Sequence, residues 1–217
     1  MTSSGLPVRE HLSRSRRSSR PSGDDRELAI LKTAERLLEE RALTEISVDD
    51  LARGAGISRP TFYFYFPSKN AVFLTLLERV VEEANAALDD LADKVVVDPA
   101  QGWRIGVNAF FAAFSAHRAV ARSGRSVLVL DSEVRELWAT LMQRCVDNTA
   151  ALINAERKRG AAPDTIPAED LATFLNLMNE RAMQAAFNEE RPFLPDERVV
   201  DTLTHIWVTS IYGSPPA

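Results

Sequence analysis

Residues 47–66 read SVDDLARGAGISRPTFYFYF. Two short helical runs flank a turn. Ser47 and Ser58 stand where a helix start needs a side-chain oxygen to accept from free backbone N–H groups. Asp50, three residues after Ser47, adds a weak form of the capping box. Gly54 and Gly56 flank Ala55 and let the backbone turn sharply at positive φ. Pro60 falls in the first turn of the second run, where its missing N–H costs nothing. Val48, Leu51, Ala52, Ile57, Phe62 and Phe66 can share one inward side. Arg59, Thr61, Tyr63 and Tyr65 are then expected on the opposite side, which offers donors and flat rings in place of Glu and Lys. This is the layout of a helix-turn-helix reader of DNA, although the same pattern also serves inside unrelated helical cores.

Composition sets bounds around that motif. A chain of 217 residues, 45% hydrophobic and 26% charged, can bury a sizeable core. No run of eighteen or more apolar residues predicts a membrane span. The first residues hold no apolar signal core, and the single cysteine, Cys145, cannot form an internal disulfide. The expectation is a cytoplasmic protein without membrane contact. Charge is uneven: residues 1–23 carry Arg9, Arg14, Arg16, Arg17 and Arg20 against Glu10, amid many serines. They read as a disordered basic arm, either adding sequence-independent affinity for phosphates or standing as a solvated tail. The net charge of −5 leaves the remainder acidic, so no strong basic field spreads over the chain.

Beyond residue 24 the spacing predicts helix after helix, about nine in all, and hence an all-α fold. Asp24 and Asp25 open the first, which runs to about Glu40 with Leu28, Leu31, Ala34, Leu37 and Leu38 on one face. A helix from Ser68 into the low nineties follows the reader, with Val72, Leu76, Val80 and Leu91 among its apolar positions. VVVDPAQG (95–102) reads as a break. Further helices are expected over about 102–116, from Arg118 to an end near Gly124, over 131–159, over 168–189 and over 195–213. VLVL (127–130) could pass for a strand, but a lone strand would have no partner. Three segments result: the arm (1–23), a helix-turn-helix domain (24–69) and a helical body (70–217).

Read together, ISRPTFYFYFPSK (57–69) resembles the signature of TetR-family transcriptional repressors: a turn, a short recognition helix rich in aromatics, and a lysine just past a proline. The likeness extends to one branch of the family, regulators of a flavin monooxygenase. It runs through RPSGDDRELAIL (20–31), ISVDDLARGAGISRPTFYFYFPSK (46–69), LNLMNER (175–181) and HIWVTSIYG (205–213). The resemblance implies a TetR-like fold and binding to double-stranded operator DNA. Ser47, Tyr63, Tyr65 and Lys69 would meet phosphates, and Pro60 and Thr61 base edges. Arg59, the only long cation on the recognition helix, could reach a guanine or a phosphate.

The body suggests a binding site. Trp103, Phe110 and Phe114 share a face of one helix, Trp138 and Met142 stand at i, i+4 on another, and Trp207 lies on the last. A plain core would explain these. Asn176 and Asn179 on an otherwise apolar helix argue instead for a mostly apolar pocket with a few placed polar groups. The resemblance implies an elongated channel for a small hydrophobic effector. It adds Val107, Cys145, Thr149 and Gln184 to the lining, with Asn179 able to bond a ligand carbonyl. Cys145, Asn148 and Gln184 stand where the branch leads one to expect aromatics, so the channel should be roomier or more polar there. The resemblance further implies a homodimer through the last two helices, a ligand-driven population shift that releases DNA, and a neighbouring monooxygenase gene as target. The scattered histidines His11, His117 and His205 and the absence of HExxH, GxSxG, P-loop or GxGxxG motifs predict no enzyme, no metal and no cofactor. The alternative is an architectural DNA binder without an effector.

Overall fold

The computed structural model describes residues 23–88 and 90–213. The basic arm lies outside the described residues, apart from Gly23. Among these residues there are ten α-helices, one 3-10 turn and no strand. The first helices are α1 (Gly23–Glu40), the 3-10 turn Leu43–Glu45, α2 (Val48–Gly54), α3 (Arg59–Tyr65) and α4 (Lys69–Ala86). The body adds α5 (Leu91–Val97), α6 (Pro99–Ala116), α7 (Arg118–Leu130), α8 (Ser132–Lys158), α9 (Ala168–Phe187) and α10 (Asp196–Tyr212). No helix among the described residues is long and apolar enough to cross a membrane.

Most expected helices are present, and four placements differ. α4 stops at Ala86 rather than in the low nineties. Its last turn tightens through Ala87 N–H to Ala84 O and Leu88 N–H to Asn85 O, and the chain reverses at Asp90, whose φ is 62°. The supposed break at 95–102 is instead a helix followed by a helix start. Val95 is buried in α5, while Asp98 caps α6 by accepting from Gln101 N–H at 3.0 Å. Pro99 therefore opens a helix at a position that tolerates proline. VLVL is the end of α7: Val127 is buried and Val129 and Leu130 are exposed. In α1, Ile30 takes the inward place expected of Leu28, which is partly exposed.

The N-terminal helices and the body are tied at both ends of α7. At its start, His117 lies between Glu35 of α1 and Glu83 of α4, bonded to Glu35 through Nδ1 and 3.1 Å from Glu83 through Nε2. Burial works against the charged ring, but the hydrogen bond and charge of Glu35, then those of Glu83, outweigh it and raise the His117 pKa. At the other end, Asp131 caps α8 through Glu133 and Val134 N–H and also accepts from Asn70 in the first turn of α4.

One buried polar network joins three body helices. Trp103 Nε1 on α6 donates to the Tyr212 hydroxyl on α10 at 3.1 Å. That hydroxyl donates to Glu156 on α8 at 2.7 Å, and Arg159 binds the same carboxylate through two nitrogens at 2.5 and 2.6 Å. Glu156 is only 1% exposed, so its charge depends on these donors. Burial first, and then the bond to Glu156, push the Tyr212 hydroxyl well above its ordinary pKa. Tyr212→Phe removes the acceptor of Trp103 and one donor of Glu156 at once. We expect it to lower stability by about 1–3 kcal/mol, read as a lower urea midpoint with unchanged slope. An unmoved midpoint would show the network to be energetically neutral.

Candidate DNA-reading surface and ligand cavity

The reader is built from its caps. Ser47 Oγ accepts from Asp50 N–H at 3.1 Å, and Asp50 Oδ2 accepts from Ser47 N–H at 3.0 Å, completing the capping box. The Ser47 hydroxyl also donates to that carboxylate, and this bond leads the contacts that hold Asp50 below the usual carboxylate range. Ser58 caps α3 by accepting from Thr61 N–H at 3.3 Å. The two glycines do different jobs. Gly56 has φ 68° and makes the turn. A Cβ on Gly54 would come within 2.3 Å of Thr33 Cγ2, so this glycine lets α2 press against α1. Leu51, Ala52, Phe62 and Phe66 are buried, with Val48 and Ile57 packed at their edge.

The outward face of α3 differs from the expected set. Arg59, Thr61, Tyr63 and Tyr65 alternate every second residue, which is the period of a strand. A helix turns 100° per residue and gathers 59, 60, 63 and 64 instead. Arg59, Pro60, Tyr63 and Phe64 are indeed the exposed ones, and Phe64 is 82% exposed. Thr61 is half-buried against Ser58, and Tyr65 packs on the core with its hydroxyl near Gly23. Arg59 is engaged: it donates to Asp49 of α2 at 3.0 Å and to the Tyr63 hydroxyl at 3.4 Å. The bond to Tyr63, then the charge of Asp49, raise its pKa.

Lys69 also departs from expectation. Its ammonium donates to the carbonyls of Leu43, Thr44 and Ile46 at 2.7, 3.2 and 2.8 Å. All three N–H groups go to backbone, leaving none for a phosphate in this arrangement. Ser47, Tyr63, Ser68 and Lys69 nonetheless border one open groove beside the turn.

Two adjoining cavities occupy the body. One is bounded by Phe110, Phe114, Trp138, Met142, Asn179 and Gln184 among others. The second lies beside Trp103, Val107, Thr149 and Trp207. Phe110, Cys145, Asn176 and Asn179 border both, so the two spaces adjoin across these side chains. Every residue expected to line a channel borders one of them. The amides are already partnered: Asn176 donates to Thr149 Oγ1 at 3.1 Å and to Ala172 O at 2.9 Å, while Asn179 accepts from Trp207 Nε1 at 2.9 Å. Gln184 donates to Ala121 O of α7 at 3.3 Å. Burial pushes the Cys145 thiol up, so it lines the space as a neutral group. Among the described residues no cluster of His, Cys, Asp or Glu could hold a metal ion.

Comparison with known proteins decides the family. A model described as bacterial regulatory proteins, tetR family, matches residues 30–76, and one described as transcriptional regulator EthR, C-terminal domain, matches residues 103–213. The chain is 62% identical over 203 residues to the HTH-type transcriptional regulator EthR of Mycobacterium tuberculosis, covering 93% of this chain and 94% of that protein. It is 58% identical over 203 residues to EthR of Mycolicibacterium smegmatis, covering 94% of each. The chain belongs to the TetR family. More narrowly, it is an EthR-type member, a DNA-binding transcriptional regulator in a family that is not enzymatic. Solved TetR-family structures share the fold at low identity. A putative regulator from Syntrophomonas wolfei gives a TM-score of 0.71 at 15% identity, over 88% of this chain and 96% of that one. PfmR from Thermus thermophilus gives 0.66 at 20%, over 87% and 99%.

Several residues escaped the sequence reading. Phe64 was detectable by helical period alone. Glu180, one turn after Asn176, was detectable in the same way. Val81 and Asn85, which bring α4 to the cavity, required the fold. Phe64 is the apolar side chain that α3 exposes most, and so the one best placed for an apolar contact. Phe64→Ala is expected to weaken operator binding by about 1–3 kcal/mol, more than Tyr65→Phe does, measured by gel-shift titration. The reverse order would return the contact to the alternate residues.

Proposed function

We propose that this protein is a repressor that binds operator DNA as a homodimer and releases it when a small apolar effector fills the body cavity. One observation carries the reading: α4 belongs to both ends of the device. Val81 and Asn85 line the cavity, and Lys69, the first residue of the same helix, grips the turn that precedes the reader. An effector that favours a shifted α4 would move the reader with it, and two readers of a dimer would leave register with the DNA. In the DNA-bound form Arg59, Pro60, Tyr63 and Phe64 face base edges, with Ser47 and Thr61 at the backbone and Tyr65 at the flank. Lys69 acts there as a positioning residue. The regulated gene is a neighbouring monooxygenase gene, as the EthR-type relationship suggests. The architectural alternative, a binder without effector, is disfavoured by the largely apolar space beside the connecting helix, bordered by a few placed amides.

Release is tested by gel shift against the protein's own upstream DNA, with and without a panel of long apolar amides and esters. Retarded DNA freed by a compound is the expected result; retardation that nothing relieves would remove the effector, and no retardation would remove the repressor.

The dimer is proposed through α9 and α10, where Phe174 and Leu177 of α9 are exposed, Phe174 by 73%. Sedimentation at micromolar concentration should give a dimer, and Phe174→Asp a monomer. A native protein that sediments as a monomer would end this part of the reading.

A further inference from the structure

The cavity wall is apolar, yet it carries a charge. Among the described residues Glu180 is the one charged side chain bordering either space; no Lys, Arg or His among them does. It sits in the middle of α9, four residues after Asn176 and four before Gln184, on the strip that faces the cavity. The polar residues around it are engaged: Asn176 with Thr149, Asn179 with Trp207, Gln184 with Ala121, and Arg181 with Glu190 at 3.1 Å. Glu180 has no hydrogen bond or ion pair among the described residues. It is half-buried, so water reaches part of the side chain.

A ligand that fills the space removes part of that water. A neutral tail would leave the carboxylate partly stripped and unpaired, which is costly. A ligand carboxylate would add like-charge repulsion in a poorly screened site. A protonated amine reverses both penalties, because it supplies N–H donors and the opposite charge. The rings of Phe110, Phe114 and Trp138 border the same cavity, and aromatic faces attract cations. We infer that this cavity selects a lipophilic amine, with its ammonium on Glu180 and its tail along the apolar wall. The inference rests on the cavity being the effector site.

Three probes of equal chain length separate the possibilities: dodecylamine, dodecanol and dodecanoate. Each is titrated into the full-length protein by calorimetry below its micellar concentration, at neutral pH and without DNA. Dodecylamine should bind about tenfold or more tightly than dodecanol, and dodecanoate more weakly than both. Glu180→Gln should bring the amine down to the alcohol's level, and Glu180→Lys should turn the preference toward dodecanoate. An amine no tighter than the alcohol, or a preference that survives Glu180→Gln, overturns the amine assignment while leaving an effector site in place. Failure of all three probes to bind overturns the assignment and the effector reading together.

Discussion

The ammonium of Lys69 fixes how the reader is carried. A reader of two seven-residue helices is too short to hold its own orientation, so its placement comes from what it leans on. Lys69 supplies that support with one charge. It gathers three carbonyls from the 3-10 turn and from Ile46, just before the cap of α2, onto the first residue of α4. The Leu43 carbonyl also accepts from Ile46 N–H at 3.2 Å, and the ammonium adds a charged donor to it and to the carbonyls of Thr44 and Ile46. The turn, the capping box of Ser47 and Asp50, and the start of α4 thereby move as one piece.

That piece is joined to the body by side chains that touch α4 at separate heights. Asn70 meets Asp131 near its start, and Glu83 meets His117 near its end. Both joints also bracket α7, whose Ala121 carbonyl accepts from Gln184 at the cavity wall. The path from cavity to reader is therefore short and contiguous. It runs directly through Val81 and Asn85 on α4 and, in parallel, through Gln184 and α7. A ligand contact that displaces Gln184 would loosen its hold on α7 without touching α4.

Local rules made the reader's caps, its turn glycine and its core legible, because each depends on residues within four positions of one another. The cavity wall was legible for a related reason: an apolar wall with two amides leaves its mark at helical spacing, and Trp103, Phe110 and Phe114 of one helix border the body cavities. The outward face of α3 was misread because spacing by two was applied to a helix, which promoted Tyr65 and overlooked Phe64. The α5–α6 corner was misread because Pro99 looks like a stop when the Asp98 cap before it is ignored. Lys69, His117 and Asp131 were not legible at all. Their partners lie from 23 to 82 residues away, and no local pattern announces a long-range polar contact.

These placements also change the electrostatics of the reader. Lys69 faces inward, Arg59 is shared with Asp49, and Asp50 stays ionised in its capping box. Few cations are therefore free to meet phosphates from α2 and α3. Attraction has to come from hydroxyl donors, from the positive ends of the two helices, and from the arginines before residue 23. Arg59 can turn to a base only where the acceptor outcompetes Asp49, which sits 3.0 Å away. A guanine edge offers two acceptors in the geometry of the guanidinium fork, and so do the two free oxygens of a phosphodiester. The Asp49 pair thus sets the threshold that any acceptor, base edge or phosphate, must exceed before Arg59 leaves it.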